Sequence, residues 1–127
     1  ALAALNRTNL NVQELVVRAV LDQVYCDEKV GDYILDIVFA TRKPQEYKLN
    51  IGHQIEYGAS PRATLYLNLA ARANAMLGGR AYATPQDVKE VAHDVLRHRI
   101  ILTYEAEAEE VTSDDLVTLL LNEIPVP

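Results

Sequence analysis

The sequence predicts an all-α fold: a small helical bundle of five helices plus a long loop, with room for a short extended pair. Three observations carry that expectation. Apolar residues recur at helical spacing in five separate segments. Two segments open with a hydroxyl residue followed by proline, Ser60-Pro61 and Thr84-Pro85, which suits an N-cap and a first helical position. The core material is aliphatic, since half of the 127 residues are hydrophobic yet there is one Phe and no Trp. Leu, Val, Ile and Ala must then fill the interior, as packed helices allow, and this length fits one domain.

Residues 1–11 carry weak signals and read as a linker or an added end, so the domain is placed at 12–127. Val12, Leu15, Val16, Ala19 and Val20 mark a buried face of the first helix, with Asn11 as its cap. The second helix starts near Asp27 and buries Val30, Tyr33, Ile34, Ile37 and Val38. Arg42 and Lys43 complement its C-terminal dipole, and Pro44 stops it. From Pro44 to Tyr57 no period is sustained, and a loop of that length in a compact domain is often functional. The third helix runs from Ser60 to about Leu77. Leu65, Leu69, Ala73, Met76 and Leu77 are read as its apolar stripe, and one glycine of Gly78-Gly79 as its left-handed terminator. Thr84 caps the fourth, in which Val88, Val91, Ala92 and Val95 keep helical spacing. Four glutamates between Tyr104 and Glu110 read as solvated surface. Thr112 or Ser113 caps the last helix, which buries Leu116, Val117, Leu120, Leu121 and Ile124 before Pro125 and Pro127 end it.

Composition removes several function classes. The net charge of −6 argues against a nucleic-acid partner, which needs a concentrated basic face. The single cysteine, Cys26, cannot form an internal disulfide and fits a reducing compartment. It shares no zinc spacing with His53, His93 or His98, so no metal site is expected. No apolar run is long enough for a membrane span and no signal peptide is visible, which gives a cytoplasmic expectation.

Gly58-Ala59-Ser60-Pro61-Arg62-Ala63 is the stretch of greatest chemical interest. It sets an arginine in the first turn of a helix, beside free backbone donors, where the macrodipole ordinarily favours anions. Such a start is a potential phosphate site, and equally a place for a solvated surface arginine. A second basic cluster, Arg97-His98-Arg99, closes the fourth helix. It complements the C-terminal dipole on one reading, and contacts phosphate or a neighbouring subunit on the other.

Three blocks in order decide the comparison: Gly58 to Ala63, Gly79-Arg80-Ala81-Tyr82-Ala83-Thr84-Pro85-Gln86-Asp87-Val88, and Val95-Leu96-Arg97-His98-Arg99-Ile100. Together they resemble the C-terminal lid domain of MoxR-type AAA+ ATPases, over nearly the whole chain from Val12 to Pro127. The resemblance implies that Arg62 is the second sensor residue and has a catalytic role, with Ser60, Pro61 and Arg62 as the nucleotide-facing block. It implies ATP and magnesium as cofactors of the parent protein. It also implies a P-loop core and neighbouring ring subunits as partners, and chaperone-like remodelling of a client protein that the sequence does not name. No Gly-x-x-x-x-Gly-Lys-[Ser/Thr] occurs, nor a strand ending in paired acids. The chain therefore reads as a fragment that hydrolyses nothing alone and holds no cofactor by itself. A magnesium-chelatase-like AAA+ lid and a free-standing helical adaptor are the alternatives.

Overall fold

The computed structural model describes residues 15–127, so the linker at 1–11, the Asn11 cap and Val12 lie outside the described residues. Helix α1 covers 15–22 within them. It is followed by α2 (Glu28–Arg42), two 3-10 turns (Pro44–Tyr47 and Gly52–Gln54), β1 (Ile55–Tyr57), α3 (Ala63–Leu77), α4 (Pro85–Leu96), β2 (Ile101–Leu102), α5 (Tyr104–Ala108) and α6 (Ser113–Glu123). The all-α expectation holds, with two refinements. The glutamate-rich run forms the short α5, because Thr103 accepts from the Ala106 N–H and Ala106 is buried beneath it. The long loop is folded as two single turns and β1, which pairs antiparallel with β2 through Ile55 opposite Leu102 and Tyr57 opposite Ile101.

Helix α2 is the axis of the core. Asp27 caps it by accepting from Lys29 N–H at 3.2 Å, and the expected face of Val30, Tyr33, Ile34, Ile37 and Val38 is buried. Around it lie Leu67, Val88, Ala92, Leu96, Leu116, Val117 and Leu120, all in one continuous cluster. Each large aliphatic side chain buried there contributes about 1.5–3 kcal/mol.

Two expected faces are corrected. Helix α3 buries Ala63, Leu67, Ala71 and Ala75, whereas Leu65 is 64% exposed, Leu77 85%, and Met76 is also outside. The small residues let the α4 face of Val88, Ala92 and Leu96 come close, and a closely packed alanine face displaces the bulkier leucine face outward. On α1 the expected buried residues Leu15, Val16, Ala19 and Val20 are exposed, with Val16 at 55%. Leu21 and Val24 are the side chains that turn inward there.

The helix ends follow local chemistry. Gly79 takes φ 76, while Arg80 N–H reaches Ala75 O and Gly79 N–H reaches Met76 O, a left-handed terminator for α3. Thr84 and Asp87 cap α4 reciprocally, as Thr112 and Asp115 cap α6. Asp87 does more than cap. Its side chain is 1% exposed and accepts both Arg80 guanidinium nitrogens, Nη1 at 2.6 Å and Nη2 at 2.5 Å. Asn74 of α3 donates to it at 2.9 Å, and the Thr84 N–H at 2.8 Å. Arg80 first, then these other donors, hold its carboxyl well below the usual carboxylate range against the opposing cost of burial.

Candidate functional site

The Ser60 to Ala63 segment is tighter at its start than the sequence implies. Ser60 Oγ accepts the Arg62 N–H at 3.1 Å, but this closes a turn over Pro61-Arg62 rather than capping α3. The helix begins at Ala63, its N-cap position falls on Arg62 with no side-chain cap bond, and the first bonds are of the i to i+3 kind. Ala63 N–H reaches Ser60 O at 2.8 Å and Thr64 N–H reaches Pro61 O at 3.1 Å. Regular α-helical bonding begins with Tyr66 N–H to Arg62 O at 3.3 Å. The backbone donors expected to be free at this helix start are therefore already taken. What remains for an anion is the Arg62 side chain, which is exposed and, among the described residues, has no ion-pair partner.

Arg62 stands on an open groove of about 600 Å³ between α1 and α3. Its walls include Arg18 and Asp22 from α1, and Leu65, Tyr66, Leu69 and Arg72 from α3. These are the outward residues of α3, which explains how the displaced leucine face is used: it floors a cleft. Arg72 is partly committed, donating to Leu21 O at 3.5 Å and lying 3.9 Å from Asp22. Three guanidinium groups against one carboxylate give the groove a positive balance on a chain whose net charge is −6.

The second basic cluster is split by the structure. Arg97 Nε donates to Asp114 at 2.9 Å, with Asp94 at 3.4 Å from Nη1, and the Asp114 carboxylate raises its pKa further. Its charge serves the junction of α4 with α6. His98 is exposed. Arg99 lies with its guanidinium 4.3 Å from the centroid of Tyr66, one turn along α3 from Arg62, so it joins the Arg62 side of the molecule through a cation–π contact. Arg18, Tyr66 and Arg72 were not singled out in the sequence. For Tyr66 and Arg72 the signal there is spacing, since Arg62, Tyr66, Leu69 and Arg72 follow at three- and four-residue steps along one helix; for Arg18, on α1, the sequence carries none.

One cluster joins residues far apart in the chain. His53, Glu105 and Glu109 place one ligand atom each within 4.8 Å of one another, all exposed. His53 and Glu109 are 3.7 Å apart, and Gln54 donates to Glu109 at 2.8 Å. These are the described residues with metal-ligand chemistry in reach of each other, and such surface carboxylates are ordinary without a cation. No helix among the described residues is long and apolar enough to cross a membrane.

Comparison with known proteins places this geometry. Residues 48–120 match the family model described as the AAA lid domain. The chain is 45% identical over 97 residues to the chaperone MoxR1 of Mycobacterium tuberculosis, covering 76% of this chain and 26% of that protein. It is 37% identical over 102 residues to the protein MoxR of Paracoccus denitrificans, covering 75% of this chain and 30% of that one. A crystal structure of a Cytophaga hutchinsonii protein classed as an ATPase superposes with a TM-score of 0.83 at 43% identity, over 87% of this chain and 34% of that one. The chain thus spans about a quarter to a third of the length of these relatives. These matches show that the chain belongs to the AAA lid domain family, as a lid of the MoxR-type AAA+ ATPases.

Proposed function

We propose that this domain closes over ATP bound in an adjacent P-loop core, and that Arg62 presents its guanidinium to the terminal phosphates. The observation that carries the reading is the state of Arg62. It is exposed, without an ion-pair partner among the described residues, and set at the edge of a positively balanced groove on a rigid helix start. A planar guanidinium matches phosphate oxygens by paired hydrogen bonds, and it stabilises charge that builds up during phosphoryl transfer. Arg18 and Arg72 strengthen the field around it. Loss of the terminal phosphate removes that attraction, so the lid's position reports hydrolysis.

The exposed apolar residues of α1 and the outward leucines of α3 support the same arrangement, because they offer a surface that another domain can cover. In the whole ATPase the domain would sit in a ring of subunits in the cytoplasm and couple hydrolysis to chaperone-like remodelling of a client protein. The groove's residues do not fit the magnesium ion that accompanies ATP. Asp22 is its lone carboxylate, and it already lies 3.9 Å from Arg72. Magnesium therefore belongs with the core's own residues.

Calorimetric titration tests the division of labour. The 127-residue chain alone lacks the loop that wraps phosphates, so binding must overcome several kcal/mol of lost freedom with few contacts. It is expected to show no ATP binding tighter than about millimolar. Stoichiometric, low-micromolar binding by the isolated chain would contradict the lid reading.

A further inference from the structure

The segment that carries Arg62 is held by the last turn of α2, a helix that has no part in the groove. Gly58 lies so close to that turn that a Cβ on it would overlap the Thr41 carbonyl oxygen and come within 2.8 Å of Arg42 Cα. Thr41 is 1% exposed, and its hydroxyl is fully used: it donates to Val38 O at 2.6 Å and accepts the Ala59 N–H at 2.9 Å. Arg42 Nη1 donates to Ala59 O at 3.2 Å. Both backbone groups of a fully buried residue, three positions before Arg62, are thus bound by side chains of α2. Ala63, immediately after Arg62, is also fully buried, so the arginine projects from a segment clamped on both sides.

We infer that Thr41 and Arg42, with the close approach permitted by Gly58, are positioning residues that set where the Arg62 guanidinium stands. The inference rests on the proposed phosphate role of Arg62 and extends it to a second element. A hydroxyl is required rather than mere bulk, because the Ala59 N–H has no access to water and Thr41 is its acceptor. Valine keeps the shape and removes the acceptor, whereas serine keeps the acceptor and removes a methyl.

The test compares Thr41→Val, Thr41→Ser, Arg42→Ala and Arg62→Ala in the ATPase that carries this lid, with amide exchange and NMR of the 127-residue chain alongside. Thr41→Val is expected to speed Ala59 exchange, shift the Arg62 resonances and lower turnover about tenfold, with KM for ATP within about twofold. Thr41→Ser is expected to restore turnover, which a general packing defect would not allow. Arg42→Ala removes the donor to Ala59 O and one of two cations at the end of α2 from an exposed side chain. It should act in the same direction more weakly, so it decides the matter if Thr41→Val does not fold. Normal turnover in Thr41→Val and Arg42→Ala, while Arg62→Ala is impaired, would overturn the positioning role. Normal turnover in Arg62→Ala would instead overturn the phosphate reading. In that case unchanged Arg62 resonances in Thr41→Val and Arg42→Ala would sink the clamp as well.

Discussion

Asp87 and Arg62 lie at opposite ends of α3 and differ in how their charges are answered. Asp87 is buried and answered by Arg80, Asn74 and Thr84, so its charge is structural. Removing it in Asp87→Ala leaves Arg80 unanswered and opens the α4 cap. A broken buried pair costs about 3–5 kcal/mol, and the lower end applies because Arg80 is 33% exposed. The pH dependence has a definite sign. The folded carboxyl titrates below its ordinary value, so the unfolded chain takes up the proton first as pH falls. Stability is then fully present above about pH 4–5 and declines on further acidification. Thermal melts between pH 7 and pH 2.5 should show that decline in the parent chain and a shallower one in Asp87→Asn; parallel curves would remove Asp87 from the account. The sequence showed the Thr84 cap, but Asp87 and its partners Arg80 and Asn74 meet only after α3 has turned back into α4. Arg62 stood out in the sequence as a cation near a helix start, which spacing alone left open as a solvated surface residue; its phosphate role came from the family resemblance.

At the scale of elements, the five long helices were readable, two of their faces were not, and the short α5 was not. Val30 to Val38 of α2 and Leu116 to Leu121 of α6 face the core as their spacing indicates. In α3 both the leucines and the alanines repeat at helical intervals, and size alone favours the wrong stripe. Which stripe is buried depends on the small side chains that α4 brings against it, and that is a tertiary fact. Leu67→Ala should therefore cost about 2–5 kcal/mol in chemical denaturation, while Leu65→Ala should change stability by less than about 0.5 kcal/mol. The reverse order would return the core to the leucine stripe. The threonine caps are local: Thr84 was readable as one and Thr112 as one of two candidates with Ser113, while their reciprocal bonds to Asp87 and Asp115 emerged from the structure. Thr84→Ala should therefore cost about 1 kcal/mol, seen as a lower melting temperature. The α5 helix was missed because five residues with alternating glutamates carry no sustained period, and its order depends on the Thr103 cap and the buried Ala106.

For the whole molecule, the apolar surface on α1 and the outward face of α3 bracket the groove that holds Arg62. The proposed lid role gives that surface an occupant, an adjacent ATPase core. Burial could not be inferred for α1 from periodicity, because an amphipathic helix announces that it has an apolar face without saying which domain covers it. The proposed role of Arg62 is to act on the nucleotide while contributing little to the fold. ATP turnover and melting temperature of the ATPase carrying this lid, with and without Arg62→Ala, test it most directly. Arginines aimed at a phosphoryl transition state are worth about 10³–10⁵ in rate, and a sensing arginine at least about tenfold, or about 1.4 kcal/mol. Turnover should fall by about tenfold or more with the melting temperature unchanged within about 1 °C, since an exposed residue is being removed. Unchanged turnover and ATP affinity, or a loss of turnover that merely tracks a loss of folding, would contradict that role.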